Sequence, residues 1–245
     1  MGKERPPRFP EHWKKAPSFQ NLGGLERLCQ FKDFEFMPTA KNVEEYIAMQ
    51  RMAIASNPDC GNSHYNLAVA LIGQKKYDEA EGALLDAVEC SPNLAEAYVQ
   101  LGGICLHRGD LEGCLNYNNQ AIHSRAGFSE GYGNIGFVHL QMGNIDEAIQ
   151  ALEKAVRWNP HFIQALSTLG NAYLMKGMTE ECIQINQKAL DLQPDFAIVH
   201  NNMAIAFLER EEYDRAAEHC DRAVELGYEV APQILEEIEE YKKAA

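Results

Sequence analysis

SEGYGNIGFVHLQMGNIDEAIQALEKAVRWNPHF, residues 129–162, is one copy of a pattern that recurs every 34 residues. Its Ala155 lies in a column with Ala87, Ala121, Ala189 and Ala223, and Ala53 extends the column one step back. Ile135 shares a second column with Leu67, Leu101, Leu169 and Met203. Each is followed by a small residue: Ala68, Gly102, Gly136, Gly170 or Ala204. Ala148 stands with Ala80, Cys114, Cys182 and Ala216, and Pro160 with Pro58, Pro92 and Pro194, while Ala126 holds the place of a missing proline. A fixed period of this length marks a stacked helical array, in which each unit packs only on its neighbours. Arrays of this kind bind along a continuous surface, so the candidate site is a groove.

Each period reads as two helices. In 61–94, His64, Leu67, Ala68 and Leu71 make one helical stripe, and Ala80, Leu84, Ala87 and Val88 a second. Gly109, Gly143 and Gly177 fall at the corner between the two, where backbone freedom is needed. Asp78, Glu112, Asp146, Glu180 and Asp214 open the second helices, where the positive end of the helix dipole favours acid. The prolines close each unit, just past a helix end.

These residues resemble the tetratricopeptide repeat family. The resemblance rests on the large-then-small pairs Leu101-Gly102 and Leu169-Gly170, the bulky residue four further on (Tyr173, Phe207), the small columns and the terminal proline. It implies an all-α fold, a right-handed superhelical solenoid of helix-turn-helix repeats. Five full repeats are expected at 61–94, 95–128, 129–162, 163–196 and 197–230. A half repeat precedes them at 42–60, where Asn42 and Glu45 suit a capping box. Its missing first helix is damaged by Pro38 and by Phe34 in the small column. Residues 231–245 read as a capping helix with Leu235, Ile238 and Tyr241 on its apolar side. Residues 1–41 read as a largely irregular arm: Pro6, Pro7, Pro10, Pro17 and Gly23-Gly24 break it, while Phe9, Trp13, Phe19, Phe31, Phe34 and Phe36 make it too apolar for a solvated tail.

The 245-residue chain carries a net charge of -14, which argues against a nucleic-acid partner. Residues 1–20 run the other way, with Lys3, Arg5, Arg8, Lys14 and Lys15 against Glu4 and Glu11. No stretch is long and apolar enough to span a bilayer. The first residues lack the apolar run of a secretory signal, and Pro6 stands where a myristoylation signal has Ser or Thr. A cytoplasmic protein without membrane insertion is the expectation. The seven cysteines form no C-x-x-C pair and several fall on repeat columns, as packing residues do. A metal or redox role for them ranks last. The eight histidines show no ligand spacing, and no catalytic motif or cofactor fingerprint appears. The chain reads as a non-enzyme without cofactors.

In the resembled family the first helices line the concave surface. Asn66, Gln100, Asn134 and Asn202 then form an amide column, interrupted by Thr168. An amide both donates and accepts, so such a ladder matches a peptide backbone. The candidate binding residues are Asn66, Gln100, Asn134, Asn171 and Asn202 for hydrogen bonds, with Val69, Phe137, Leu140 and Leu174 for apolar contact. The inward positions hold no Lys or Arg, which argues against the family's clamps for acidic chaperone tails. A neutral to mildly basic, partly apolar protein segment fits better beside Glu96 and Glu130. The reading is a protein-binding adaptor or scaffold. The alternative is self-assembly, with the 1–41 arm packing on its own array or a neighbour's.

Overall fold

The computed structural model describes residues 42–244, which fold into helices with no strand among them. The arm expected at 1–41 lies outside the described residues. One helix, α1 (Val43–Ser56), is followed by five helix pairs and a last helix. The pairs are α2 (Gly61–Gly73) with α3 (Tyr77–Cys90), α4 (Ala95–His107) with α5 (Leu111–Ser124), α6 (Ser129–Gln141) with α7 (Ile145–Trp158), α8 (Ile163–Lys176) with α9 (Thr179–Leu192), and α10 (Ala197–Glu209) with α11 (Tyr213–Glu225). The last helix is α12 (Pro232–Ala244). Val138 ends one compact unit and His139 begins another.

Local chemistry sets the helix ends. The Asn42 side chain caps α1, its Oδ1 accepting from the Glu45 amide at 2.8 Å, and Asp110 caps α5 by accepting from Gly113 at 2.8 Å. Every second helix carries acid in its first turn. At the corners, Gly109, Gly143 and Gly177 have φ of +77°, +78° and +79°. Lys75 and Glu211 occupy the same column at φ 60°, a left-handed conformation that costs a side-chain-bearing residue energy.

In the unit ending at Val138, α1 packs on α2, and α2 through α5 pack in succession. Ala68, Leu71, Ala80, Leu84, Ala87, Ala97, Leu101 and Ile104 form its core. The small columns exist because backbones approach closely. A Cβ on Gly61 would lie 2.9 Å from the Ala87 carbonyl oxygen, and one on Gly102 2.4 Å from Asn118 Nδ2. Ala121 is held between neighbours on both sides: it clusters with Ala95 and Phe128, and a Cβ on Gly131 would reach its methyl at 3.6 Å.

The unit beginning at His139 repeats this packing through α7–α12, with Ala155, Ala189 and Ala223 fully buried. The capping helix departs from its expected stripe. Ile234 and Ile238 are the residues it buries, while Leu235 is 37% exposed. One turn of a helix separates positions 234, 238 and 241, and 235 lies to their side. Tyr241 completes the cap by stacking on Tyr213 at 4.8 Å and donating to Asp214 at 3.0 Å.

A polar stitch also recurs. The residue ending a first helix reaches the first acid of the preceding second helix, 30 positions back. Gln74 meets Glu44 at 3.1 Å, Arg108 meets Asp78 at 2.7 Å, Lys176 meets Asp146 at 2.6 Å and Arg210 meets Glu180 at 2.6 Å. These links are exposed and each contributes about 0–1 kcal/mol, so apolar packing dominates. Ala121→Leu tests that packing: overpacking between Ala95 and Gly131 is expected to cost ~1–3 kcal/mol. Denaturant melts of the variant that match the wild type would contradict it.

Candidate functional site: the first-helix face

In the unit ending at Val138, the candidate residues recur on successive first helices. Asn66 and Val69 on α2, Gln100 on α4, and Asn134 and Phe137 on α6 are all half-buried. A half-buried residue is partly held by packing and partly open to solvent, which suits a binding residue. Asn134 is fixed further. Its Nδ2 donates at 3.0 Å to Oδ1 of Asn118, a wholly buried amide on α5. Asn118 in turn donates to the Cys114 carbonyl at 2.8 Å and approaches the Cys114 sulfur at 3.4 Å. Glu96, at the edge of this face, is neutralised by Arg125 at 2.6 Å, and Glu130 accepts from the Ser129 hydroxyl at 2.9 Å.

The unit beginning at His139 holds the rest of the set in different states. Leu140 is buried. Asn171 and Leu174 are half-buried, and Asn171 Nδ2 lies 4.0 Å from the Met175 sulfur. Asn202 is only 4% exposed and donates inward to the Ser167 carbonyl at 3.3 Å. Behind it, Asn186 is fully buried and donates to the Cys182 sulfur at 3.0 Å. Its Oδ1 has no partner among the described residues. Asn118 and Asn186 stand two periods apart, as do Asn134 and Asn202, so one buried amide is satisfied by a groove amide and the other is not. The Cys-x-x-x-Asn spacing at 114–118 and 182–186 was the sequence signal for these two buried amides.

Among the described residues, His64, His200, Cys114 and Cys182 are taken up by packing and local hydrogen bonds. His64 and His200 share a column, and the Nε2 of each meets the carbonyl of the proline closing the preceding repeat, Pro58 at 2.8 Å and Pro194 at 2.9 Å. A carbonyl only accepts, so Nε2 of His200 donates to it, and whenever the ring is uncharged its Nδ1 accepts. His219 Nδ1 lies 2.9 Å from that atom and therefore donates. Burial, the facing His200 and nearby Arg215 push the His219 imidazole down to about 4, with Glu218 opposing them. Burial pushes the thiols of Cys114 and Cys182 up to about 12, which keeps them protonated. Among the described residues no three His, Cys, Asp or Glu converge as a metal site, and no helix is long and apolar enough to cross a membrane.

Tetratricopeptide repeat models match residues 139–201, and residues 48–95 and 184–228, together more than half of the chain. The chain belongs to the tetratricopeptide repeat family. No curated relative matches it. Among solved structures, MamA from Desulfovibrio magneticus RS-1 is similar at 24% identity and a TM-score of 0.60, over 69% of this chain and 96% of that one. YrrB, described as a TPR protein with an unusual peptide-binding site, is similar at 18% identity and a TM-score of 0.62, over 79% of this chain and 97% of its own. Yeast Tom70 is similar at 14% identity and a TM-score of 0.61, over 92% of this chain and 48% of its own. At these identities the likeness is one of fold. The tetratricopeptide fold is typical of protein-interaction scaffolds.

Two expectations follow from the buried polar groups of this tetratricopeptide array. Asn186→Leu removes a buried acceptor without a partner, in a column where Leu84 and Leu152 are fully buried. It is expected to raise stability by about 1–2 kcal/mol, whereas Asn118→Leu, which discards satisfied bonds, lowers it. Denaturant melts shifting both variants in the same direction would contradict the assignment. The second concerns pH. A histidine pushed down in the folded state is neutral there but takes up a proton once unfolded, below about 6.5. Its contribution is therefore complete above that value and is lost as pH falls towards about 4. His219→Asn, which keeps a donor for His200, should flatten the fall in melting temperature between pH 6.5 and 4. An unchanged slope would remove His219 as its source.

Proposed function

We propose that this chain is a non-enzymatic adaptor that binds an extended protein segment on the first-helix face of the unit ending at Val138. The observation that carries the reading is the column of half-buried amides, Asn66, Gln100 and Asn134, on three successive first helices, the last anchored by buried Asn118. Held stems lower the entropy lost when a ligand's backbone is engaged. Val69 and Phe137 flank the column and supply the apolar contact. Asn171 and Leu174 offer similar chemistry in the unit beginning at His139. Asn202 serves there as an internal brace, with its donor already used by Ser167.

The preferred ligand is neutral to mildly basic and partly apolar. Glu96 is already paired with Arg125, Glu130 keeps its charge at the rim, and Arg108 is taken up by Asp78 and Glu81 at 2.7 and 2.8 Å. Among the described residues the inward first-helix positions of this unit hold no Lys or Arg to meet an acidic tail. The likeness to YrrB, a tetratricopeptide protein with a peptide-binding site by its description, supports the same reading. We propose a cytoplasmic location, in keeping with the free thiols among the described residues, of which Cys105, Cys114, Cys182 and Cys220 are buried.

Linear peptides selected from a random displayed library against the full chain provide the test. Asn66→Ala with Gln100→Ala removes two bonds worth about 0.5–1.5 kcal/mol each, so Kd for a selected peptide should rise on the order of 5–150-fold. A library that returns no binder, or a Kd that the double variant leaves unchanged, overturns the reading.

A further inference from the structure

Helix α1 is unlike every other second helix on two faces. The first is the face that the other second helices bury against the first helix of their own repeat. Ala87, Ala121, Ala155, Ala189 and Ala223 are 0% exposed, but Ala53, their counterpart, is exposed. Gln50 is half-buried where Leu84, Asn118, Leu152 and Asn186 are fully enclosed. The second is the outer face. Met52 occupies a column held elsewhere by Asp86, Gln120, Lys154, Lys188 and Arg222, and Ala55 a column held by Glu89, His123, Arg157, Asp191 and Glu225. In these two columns the other second helices carry polar or charged side chains, whereas α1 presents a methionine at 71% exposure. Glu44, Glu45 and Arg51 keep part of α1 polar, but Met52, Ala53 and Ala55 leave apolar surface that a further segment can cover.

The geometry points to residues 17–37 of the same chain as the cover of α1. They lead directly into its Asn42 cap, so no other occupant begins closer. They carry Phe19, Leu22, Leu25, Leu28, Phe31, Phe34, Phe36 and Met37, apolar area enough for a helix bare on two faces. The connection from Met37 to Asn42 spans about 17 Å when extended, against about 21 Å for a 14-residue helix. The segment can thus turn back along α1. Its tether places it at an effective concentration on the order of millimolar, which a second copy must exceed to displace it.

Cysteine accessibility in the full chain tests this inference. Met52→Cys and Lys188→Cys place a thiol in the same column of α1 and of α9, the latter exposed to water. With the cover in place, the thiol at 52 should be alkylated at least about tenfold more slowly than that at 188. Adding Phe31→Ser, Phe34→Ser and Phe36→Ser should restore the rate while helicity stays unchanged. Protection at position 52 should be independent of protein concentration. Equal rates at the two positions overturn the inference, and so does protection that dilution abolishes, which would assign the cover to a second copy. The result is independent of whether the first-helix face binds a peptide.

Discussion

Backbones of neighbouring helices touch at the small columns, and the rest of the architecture follows from that contact. With Ala at 87 and 121 and Gly at 61, 102 and 131, there is no room for a larger side chain between the helices. Bulky residues are displaced to either side of the contact. On one side they build the core through Leu71, Leu84, Leu101 and Ile104. On the other they leave the half-buried amides Asn66, Gln100 and Asn134 of the proposed site. The salt links repeated every period decorate this frame, and being solvent-exposed they contribute little to it.

The frame was legible because close packing constrains residue size, and size is written directly in the sequence. The helix pairs, the corners at Gly109, Gly143 and Gly177, and the acid at each second-helix start could all be read this way. Polar partnerships could not. Asn118 and Asn186 look alike in sequence and sit alike in the fold, yet one is completed by Asn134 and the other has an acceptor left over. The difference lies in side-chain directions of a few ångström, which periodicity does not carry. The same limit applies to Asn202, which belongs to the amide column by spacing but is drawn inward by the Ser167 carbonyl. In the capping helix the buried stripe runs through Ile234 and not Leu235, a shift of one residue that the spacing of apolar residues there does not decide.

Function enters through what the packing leaves over. Among the described residues, the thiols of Cys105, Cys114, Cys182 and Cys220 are buried, and the imidazoles of His64 and His200 meet the carbonyls of closing prolines. In the unit ending at Val138 a half-buried amide stands on each of three successive first helices, Asn66, Gln100 and Asn134, and these carry the proposed site.

Hydrogen exchange of the full chain with and without a bound, library-selected peptide tests the account most directly. Amide protection gained on α2 and α4, centred on Asn66, Val69 and Gln100, is the predicted footprint. Protection gained on the second helices α3 and α5 instead, with α2 and α4 unchanged, would contradict it.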